Sequence, residues 1–156
     1  MGKPRYFRFD VEKVLAELCQ DLNIPRKMIR LSTYTSSKLR LRNRLGSCGI
    51  NVNHQGELTS YEVRIRVKGS SIEDQIEALA HELVHVQQYY RGDFTIKIKL
   101  HKVGNKERIS YSEYWQGKNI RDWVCNSWKQ YKALPWEVEA FAREDLLASK
   151  FSHIWN

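Results

Sequence analysis

The sequence has few cysteines and no long apolar run. Its three cysteines are too few, and odd in number, for a disulfide framework, so we expect free thiols in a reducing cytoplasm. The apolar stretches are far shorter than a membrane span, and the start "MGKPRYFRFD" has no apolar segment of the signal-peptide kind. Because internal repeats and linkers rich in proline, glycine or serine are also lacking, we expect one domain over residues 1–156.

Acidic residues are in short supply relative to basic ones. Lysine and arginine number 26 against 18 acids, which gives a net charge of +8. Such an excess favours an anionic partner such as nucleic acid, although it also serves simply to keep a small domain soluble. With 42% hydrophobic and 28% charged residues, the composition is that of a folded globular protein and excludes a disordered chain.

The pattern of apolar residues predicts an α+β fold. A first helix should begin at the Asp10 cap and stop at "NIP", and a second should begin at Ser71, where Asp74 completes a capping box, and end before Gly92. Strands are predicted in "MIRLSTY", "KLRLRNRLG", "CGINVN" and "SYEVRIRVKG", with a turn between Gly46 and Gly49. A hairpin of "FTIKIKLHKV" and "RISYSEYW" follows, and the last helix begins at Pro135.

Three of the predicted strands alternate basic and apolar residues. The basic positions are Lys38, Arg40, Arg42 and Arg44; Arg64, Arg66 and Lys68; and Lys97, Lys99 and His101. If these strands share one sheet, its outer face is densely basic and could lie along phosphates. The alternative is an ordinary solvated face of an antiparallel sheet.

The stretch "HELVH" predicts a zinc site. On a helix, His81 and His85 stand one turn apart on the same face, where their imidazoles can hold one ion. Glu82 is then placed to take a proton from a zinc-bound water that attacks a carbonyl. A catalytic zinc usually takes three protein ligands, so one more must come from elsewhere.

The residues alone leave that third ligand open. In "PWEVEAF", Glu137 and Glu139 are two positions apart and point to different faces of a helix, so only one of them should reach the ion. Cys48 is a rival because thiolates bind zinc well. His101 is another, although it belongs to a basic strand.

"ALAHELVHVQQYYRG" followed by "LPWEVEAFARE" resembles the small phage-type zinc metallopeptidases of the gluzincin group, over about residues 71–148. The resemblance implies a zincin-like fold, in which a small twisted sheet packs on the N-terminal helix and the motif helix. It also implies zinc-dependent hydrolysis of peptide bonds, with Glu82 as general base and Glu137, on the C-terminal helical part, as third ligand. For a phage-encoded enzyme, the location would be the host cytoplasm.

The sequence departs from the gluzincin pattern at one position. Many gluzincins have an aspartate four residues after the ligand, where it orients the first histidine, and here Phe141 stands there. This loss raises the alternative of a catalytically degenerate zincin that serves as a binding or structural module.

Two other families share part of the pattern. "GSCGINVN" through "EVRIRV" is similar to SprT-type proteases, which cut proteins bound to DNA and use a third histidine, here His101. Peptide deformylase has an upstream cysteine ligand, a part that Cys48 would play. The SprT-like alternative would use the basic strands for recruitment by nucleic acid.

Three further expectations concern the surroundings of the site. Tyr131 precedes the glutamate helix and is a candidate to hydrogen-bond a developing oxyanion. The tryptophans of "DWVCNSW" should pack the C-terminal helices against the motif helix. The resemblance to zinc peptidases also implies an edge strand beside the motif helix that binds a peptide substrate as an added strand, and we expect strand 61–67 to play that part.

Overall fold

A computed structural model describes residues 7–34 and 45–155, in which five helices and two three-stranded sheets form a mixed α+β fold. The elements in chain order are α1 Val11–Leu22, β1 Ile29–Tyr34, β2 Gly46–Val52, β3 Leu58–Arg66, α2 Ile72–Tyr90, β4 Phe94–Val103, β5 Lys106–Trp115, β6 Lys118–Asn119, α3 Trp128–Lys132, α4 Pro135–Ser149 and α5 Ser152–Trp155. No helix in this part of the chain is long and apolar enough to cross a membrane.

Helix α1 has the boundaries that its end signals predict. The Asp10 carboxylate accepts a hydrogen bond from the Lys13 amide at the start, and Asn23 ends the helix in the left-handed conformation with φ 55°. All of the apolar positions that recur at helical spacing are buried: Val11, Val14, Leu15, Leu18 and Leu22. This face of α1 therefore belongs to the main core.

The first sheet has the strand order β1-β3-β2, with β1 parallel and β2 antiparallel to β3. Val63, Ile65 and Val67 are buried as predicted. The prediction that segment 61–67 is an edge strand is wrong, because β3 pairs with a neighbour on both sides. The predicted turn between Gly46 and Gly49 is also wrong, since both glycines lie within β2.

Helix α2 begins with the predicted capping box. The Asp74 amide donates to Ser71 Oγ at 3.0 Å, and the Ser71 amide donates to Asp74 Oδ2 at 3.3 Å. The helix is buried over most of its length because α1, the first sheet and α4 pack around it. It ends at Tyr90, before Gly92, whose φ of 89° suits glycine.

The second sheet is the predicted β4–β5 hairpin with the short strand β6 added. It is separate from the first sheet, so the expectation of one small sheet is wrong. The condition for one continuous basic face is not met for the strands around Arg64 and Lys97, because they lie in different sheets. The third basic segment, residues 38–44, lies outside the described residues.

Aromatic rings attach the second sheet to the helices. Phe94 lies 4.7 Å from Tyr89 of α2, 4.9 Å from Trp115 and 5.4 Å from Trp136 of α4, measured between ring centroids. These contacts explain why the hairpin packs beside α2 and does not extend the first sheet.

The tryptophans of "DWVCNSW" contact α4. Trp123 packs edge-on against Trp136, and Trp128 packs against Tyr131 and Phe141. The predicted contact with C-terminal helices is confirmed, and Trp128 reaches the motif helix indirectly, through the Phe141 ring that touches His81.

We expect the core face of α1 to be essential for stability. Leu18 is 0% exposed, so Leu18→Ala should lower the free energy of unfolding by about 2–5 kcal/mol through lost burial and the cavity left behind. Leu146→Ala in α4 is the control: its side chain is 78% exposed, and the change should stay within about 0.5 kcal/mol. Urea unfolding followed by circular dichroism measures both. Equal effects would contradict the assignment of the core.

Candidate metal centre

Two histidines of α2 and one glutamate of α4 converge in the interior. His81 and His85 are buried one turn apart, with ring centroids 4.9 Å from each other. Nε2 of His81 lies 2.9 Å from Glu137 Oε2, and Nε2 of His85 lies 2.9 Å from Glu137 Oε1. Glu137 is buried as well. The structure thus brings together three residues that the sequence proposes as ligands, with their donor atoms within 4.8 Å of one another.

The other ring nitrogen of each histidine has its own acceptor. His81 Nδ1 lies 2.7 Å from Glu144 Oε2, and His85 Nδ1 lies 2.8 Å from Gln88 Oε1. The orientation of the Gln88 amide is set by its Nε2, which donates to Glu139 Oε1 and to the Trp136 carbonyl. Both Nδ1 atoms therefore act as donors, and each histidine directs Nε2 at Glu137.

The electrostatics of the three groups are strongly coupled. Burial lowers the pKa of His81, but its hydrogen bonds to Glu137 and Glu144 outweigh this and raise the pKa to about 10. Burial also acts to lower the pKa of His85, but the contact with Glu137 outweighs it and raises this pKa. Although burial acts to raise the pKa of Glu137, the two histidines hold it well below its ordinary range. The cluster therefore favours positive charge on one side of a buried carboxylate.

Glu144 occupies the role for which the sequence offered no residue. Phe141 packs edge-on against the His81 ring, with centroids 4.6 Å apart, and makes no polar contact with it. Glu144 lies seven residues after Glu137, two turns further along the same face of α4, and binds His81 from there. The carboxylate that contacts His81 is therefore present, three residues after the position of Phe141 where the resemblance placed it.

Gln88 and Glu144 were both missed by sequence reasoning. Each follows a candidate ligand at helical spacing: Gln88 is three residues after His85, and Glu144 is seven after Glu137. This helical spacing is the signal in the sequence that could have placed both residues on the same side of their helices as the candidate ligands.

Glu82 lies beside the cluster at one wall of a cavity. Its side chain is 2% exposed and lines a cavity of about 150 Å³ together with His81, Gly46 and Tyr131. Gly46 makes room for it: a Cβ at this position would lie 3.0 Å from Glu82 Cγ and 3.1 Å from the Arg64 carbonyl oxygen. We call this space the Glu82 cavity.

A second cavity is lined by the other two members of the cluster. It has a volume of about 140 Å³ and is lined by His85 and Glu137, by Cys48 of β2 and by Glu113 of β5. We call it the Glu113 cavity. Each of the three converging residues therefore lines one of two cavities of similar size.

Tyr131, the candidate for oxyanion binding, lies in the site. Its hydroxyl donates to Glu137 Oε1 at 2.9 Å, and its ring stacks on Trp128. In this geometry Tyr131 holds the Glu137 carboxylate in place.

Of the four candidates for a third ligand, Glu137 is the one that converges with His81 and His85 in the part of the chain that the structure describes. Glu139 points away and pairs with Arg91 and Gln88. His101 is exposed on β4, with Nε2 2.6 Å from Ser110 Oγ. Cys48 lines the Glu113 cavity, but its sulfur is not part of the group of converging donor atoms.

The donor set fits a zinc ion. Two imidazole nitrogens and one carboxylate are the ligands of a class of catalytic zinc sites. His85 Nε2 is buried and lies 2.9 Å from Glu137 Oε1, but it makes no well-aligned hydrogen bond within the described residues, which a cation bound between the two groups would explain. Both Nδ1 atoms already have acceptors, as is typical of metal-bound histidines.

Comparison with protein families, with curated protein sequences and with solved structures gives no significant match. The chemistry of the site is therefore inferred from its own residues.

We expect Glu77, at the wall of the Glu82 cavity, to make stability depend on pH. Burial and the neighbouring charges of Asp145 and Glu144 raise its pKa to about 7. A carboxyl group whose pKa is higher in the folded state than in the unfolded state, here near 4.5, is protonated in both states at lower pH and then costs no stability. As the pH rises from 4.5 towards 7, the unfolded state loses this proton more readily, and the free energy of unfolding falls. Glu77→Gln should therefore raise the melting temperature relative to the wild type at pH 8 and leave it little changed at pH 4. The gain should be modest, because solvent screens this partly exposed group.

The measurement is thermal unfolding from pH 4 to pH 8. Glu107→Gln, the same substitution at an exposed position of β5, serves as the control. An effect of Glu77→Gln that is equal at both pH values would contradict the role of Glu77.

Proposed function

We propose that this chain is a zinc-dependent metallopeptidase with a zincin-like fold, related to the gluzincin group, in which His81, His85 and Glu137 hold the metal. The observation that carries the proposal is the buried convergence of both Nε2 atoms on the Glu137 carboxylate, with Glu82 on the next position of the motif helix. A helix order in which the HExxH helix precedes the ligand helix supports the same class.

The residues around the cluster have separate chemical roles. Bound zinc supplies a Lewis acid that polarises the substrate carbonyl and makes water more acidic. Glu82 accepts the proton of the attacking water and later donates it to the leaving amine nitrogen. Glu144 and Gln88 orient the two histidines, and Tyr131 holds Glu137.

Strand β2 takes over the substrate-binding role that the sequence suggested for strand 61–67. In the described part of the chain it is an edge strand of the first sheet. Gly46 lines the Glu82 cavity, and Cys48 lines the Glu113 cavity, so the strand runs past both cavities. A peptide lying along β2 would cross the site with its backbone hydrogen-bonded to the sheet edge.

Two alternatives retain some support. Recruitment by nucleic acid would use the basic face of the hairpin, where Lys97, Lys99 and Arg108 are exposed. The basic residues of β3 would not extend this face, because β3 lies in the other sheet. The degenerate zincin depended on the loss of an orienting carboxylate. Glu144 supplies such a group, and this favours the enzyme.

We expect the full chain to bind about one equivalent of zinc and to cleave peptides. Glu82→Gln should retain the zinc, because Glu82 is not in the ligand set, and should lose at least about 100-fold in kcat/KM, because the proton acceptor is gone. Zinc is measured by mass spectrometry of the metal and cleavage with a mixture of peptides. Glu73→Gln, an exposed position on the same helix, serves as the control.

Two outcomes would contradict the proposal. A well-folded protein that neither contains nor takes up zinc excludes the metal site. Zinc binding with unchanged biological activity in Glu82→Gln would indicate the degenerate module.

We also expect Glu144 to tune the affinity for zinc. Glu144→Ala should raise the Kd for zinc by about 10- to 100-fold, because His81 loses the partner that fixes its ring and tautomer. Asp145→Ala removes an equal charge from the next, exposed position of α4 and should have a small effect. Competition with a chromogenic chelator measures both constants. Equal losses would show that only the net charge of this helix matters.

A further inference from the structure

The β4–β5 hairpin has one apolar face and one basic face. Ile98 pairs with Tyr111, and Leu100 pairs with Ile109, so these four side chains share a face. Lys97, Lys99 and Arg108 lie on the opposite face. The apolar face does not join the main core, because the hairpin attaches to the helices mainly through the aromatic rings at its base.

The apolar face forms one wall of a groove, and β2 forms the other. The walls include Ile50 and Val52 from β2 and Ile98, Ile109 and Tyr111 from the hairpin, and they enclose about 280 Å³. Ile109 is 48% exposed and Tyr111 61% exposed. Neighbouring large apolar side chains that remain this exposed are typical of a binding surface. We call this space the hairpin groove.

The hairpin groove continues from the candidate metal centre. Cys48 and Glu113 line both the groove and the Glu113 cavity, which is also lined by His85 and Glu137. Along β2, Gly46, Cys48 and Ile50 pass in turn from the Glu82 cavity to the Glu113 cavity and into the groove. At about 3.3 Å per residue, β2 is long enough to accompany an extended peptide of about six residues.

The turn between β2 and β3 approaches the hairpin beyond the groove. A Cβ at Gly56 would lie only 3.1 Å from Ile98 Cδ1. Ile98 therefore contacts this turn as well as lining the groove, and Cys48 and Glu113 join the groove to the candidate metal centre. A space joined in this way to a reactive site suits a bound segment of substrate.

We propose that the hairpin groove is a specificity subsite that takes a large aliphatic side chain, such as leucine, of an extended peptide substrate, a few residues to one side of the scissile bond. This inference rests on the proposed metallopeptidase function and names the substrate feature that the enzyme selects. Aliphatic walls favour an aliphatic occupant because burial removes apolar surface of both partners from water. The lysines of the opposite face do not line the groove.

The test is a leucine scan. Six blocked hexapeptides of alanine and threonine carry one leucine at each position in turn. Cleavage by the zinc-loaded wild type is followed by product mass, and binding to zinc-loaded Glu82→Gln is followed by calorimetry. Leucine at one or two adjacent positions on one side of the cut should raise kcat/KM and tighten Kd by about tenfold or more, the usual effect of added methylenes in an apolar pocket.

The groove is removed by the double variant Ile109→Ser, Tyr111→Ser. Both side chains are largely exposed, so the fold should survive, and circular dichroism checks this. The double variant should lose the preference for leucine. Val103→Ser is the control, because Val103 is 57% exposed and lies on the opposite face of the same hairpin.

The outcomes separate the groove from the proposed function. Cleavage with equal rates for all six peptides would overturn the subsite and leave the peptidase intact. A leucine preference in binding without cleavage by the wild type would support the subsite and count against the peptidase. If the double variant keeps the preference and alters only the sedimentation of the protein, the groove is instead a contact between copies of this chain.

Discussion

The burial of the Glu137 carboxylate between two histidines is the constraint on which the rest of the structure depends. A carboxylate removed from water is costly unless compensating groups surround it. Here the compensation comes from His81, His85 and Tyr131, which lie on two other helices. Helices α2, α3 and α4 must therefore pack in one relative position, and the aromatic contacts of Trp128 and Trp136 with their neighbours hold that position.

The sequence predicts best where a local interaction determines the structure. The Asp10 cap, the Ser71–Asp74 capping box and the alternation around Ile65 each act within a few residues, and the helices and strands follow them. The arrangement of strands depends instead on distant contacts. The rings of Phe94 and Trp136 direct the hairpin away from the first sheet, and no pattern within the hairpin indicates that partner.

The candidate site divides in the same way. His81, Glu82 and His85 lie on one helix, so their spacing alone predicts a common location. The sequence alone could not choose Glu137 over Glu139, because the two glutamates are only two positions apart and the sequence does not show which face of α4 meets α2. The family resemblance made that choice. The helical spacing of Gln88 and Glu144 from the candidate ligands is a signal in the sequence, but it does not show which atoms face the histidines. Their roles depend on hydrogen bonds between helices that are far apart in the chain.

The contacts of His81 also determine when the site can exist during synthesis. His81 meets Glu137 across 56 residues of chain and Glu144 across 63. Closing such long loops is slow compared with forming α2 itself, so the motif helix can form well before it acquires its partners. Until α4 has emerged from the ribosome and docked, the nascent chain contains HELVH but no assembled centre. The buried cluster can therefore form only after α4 has docked on α2.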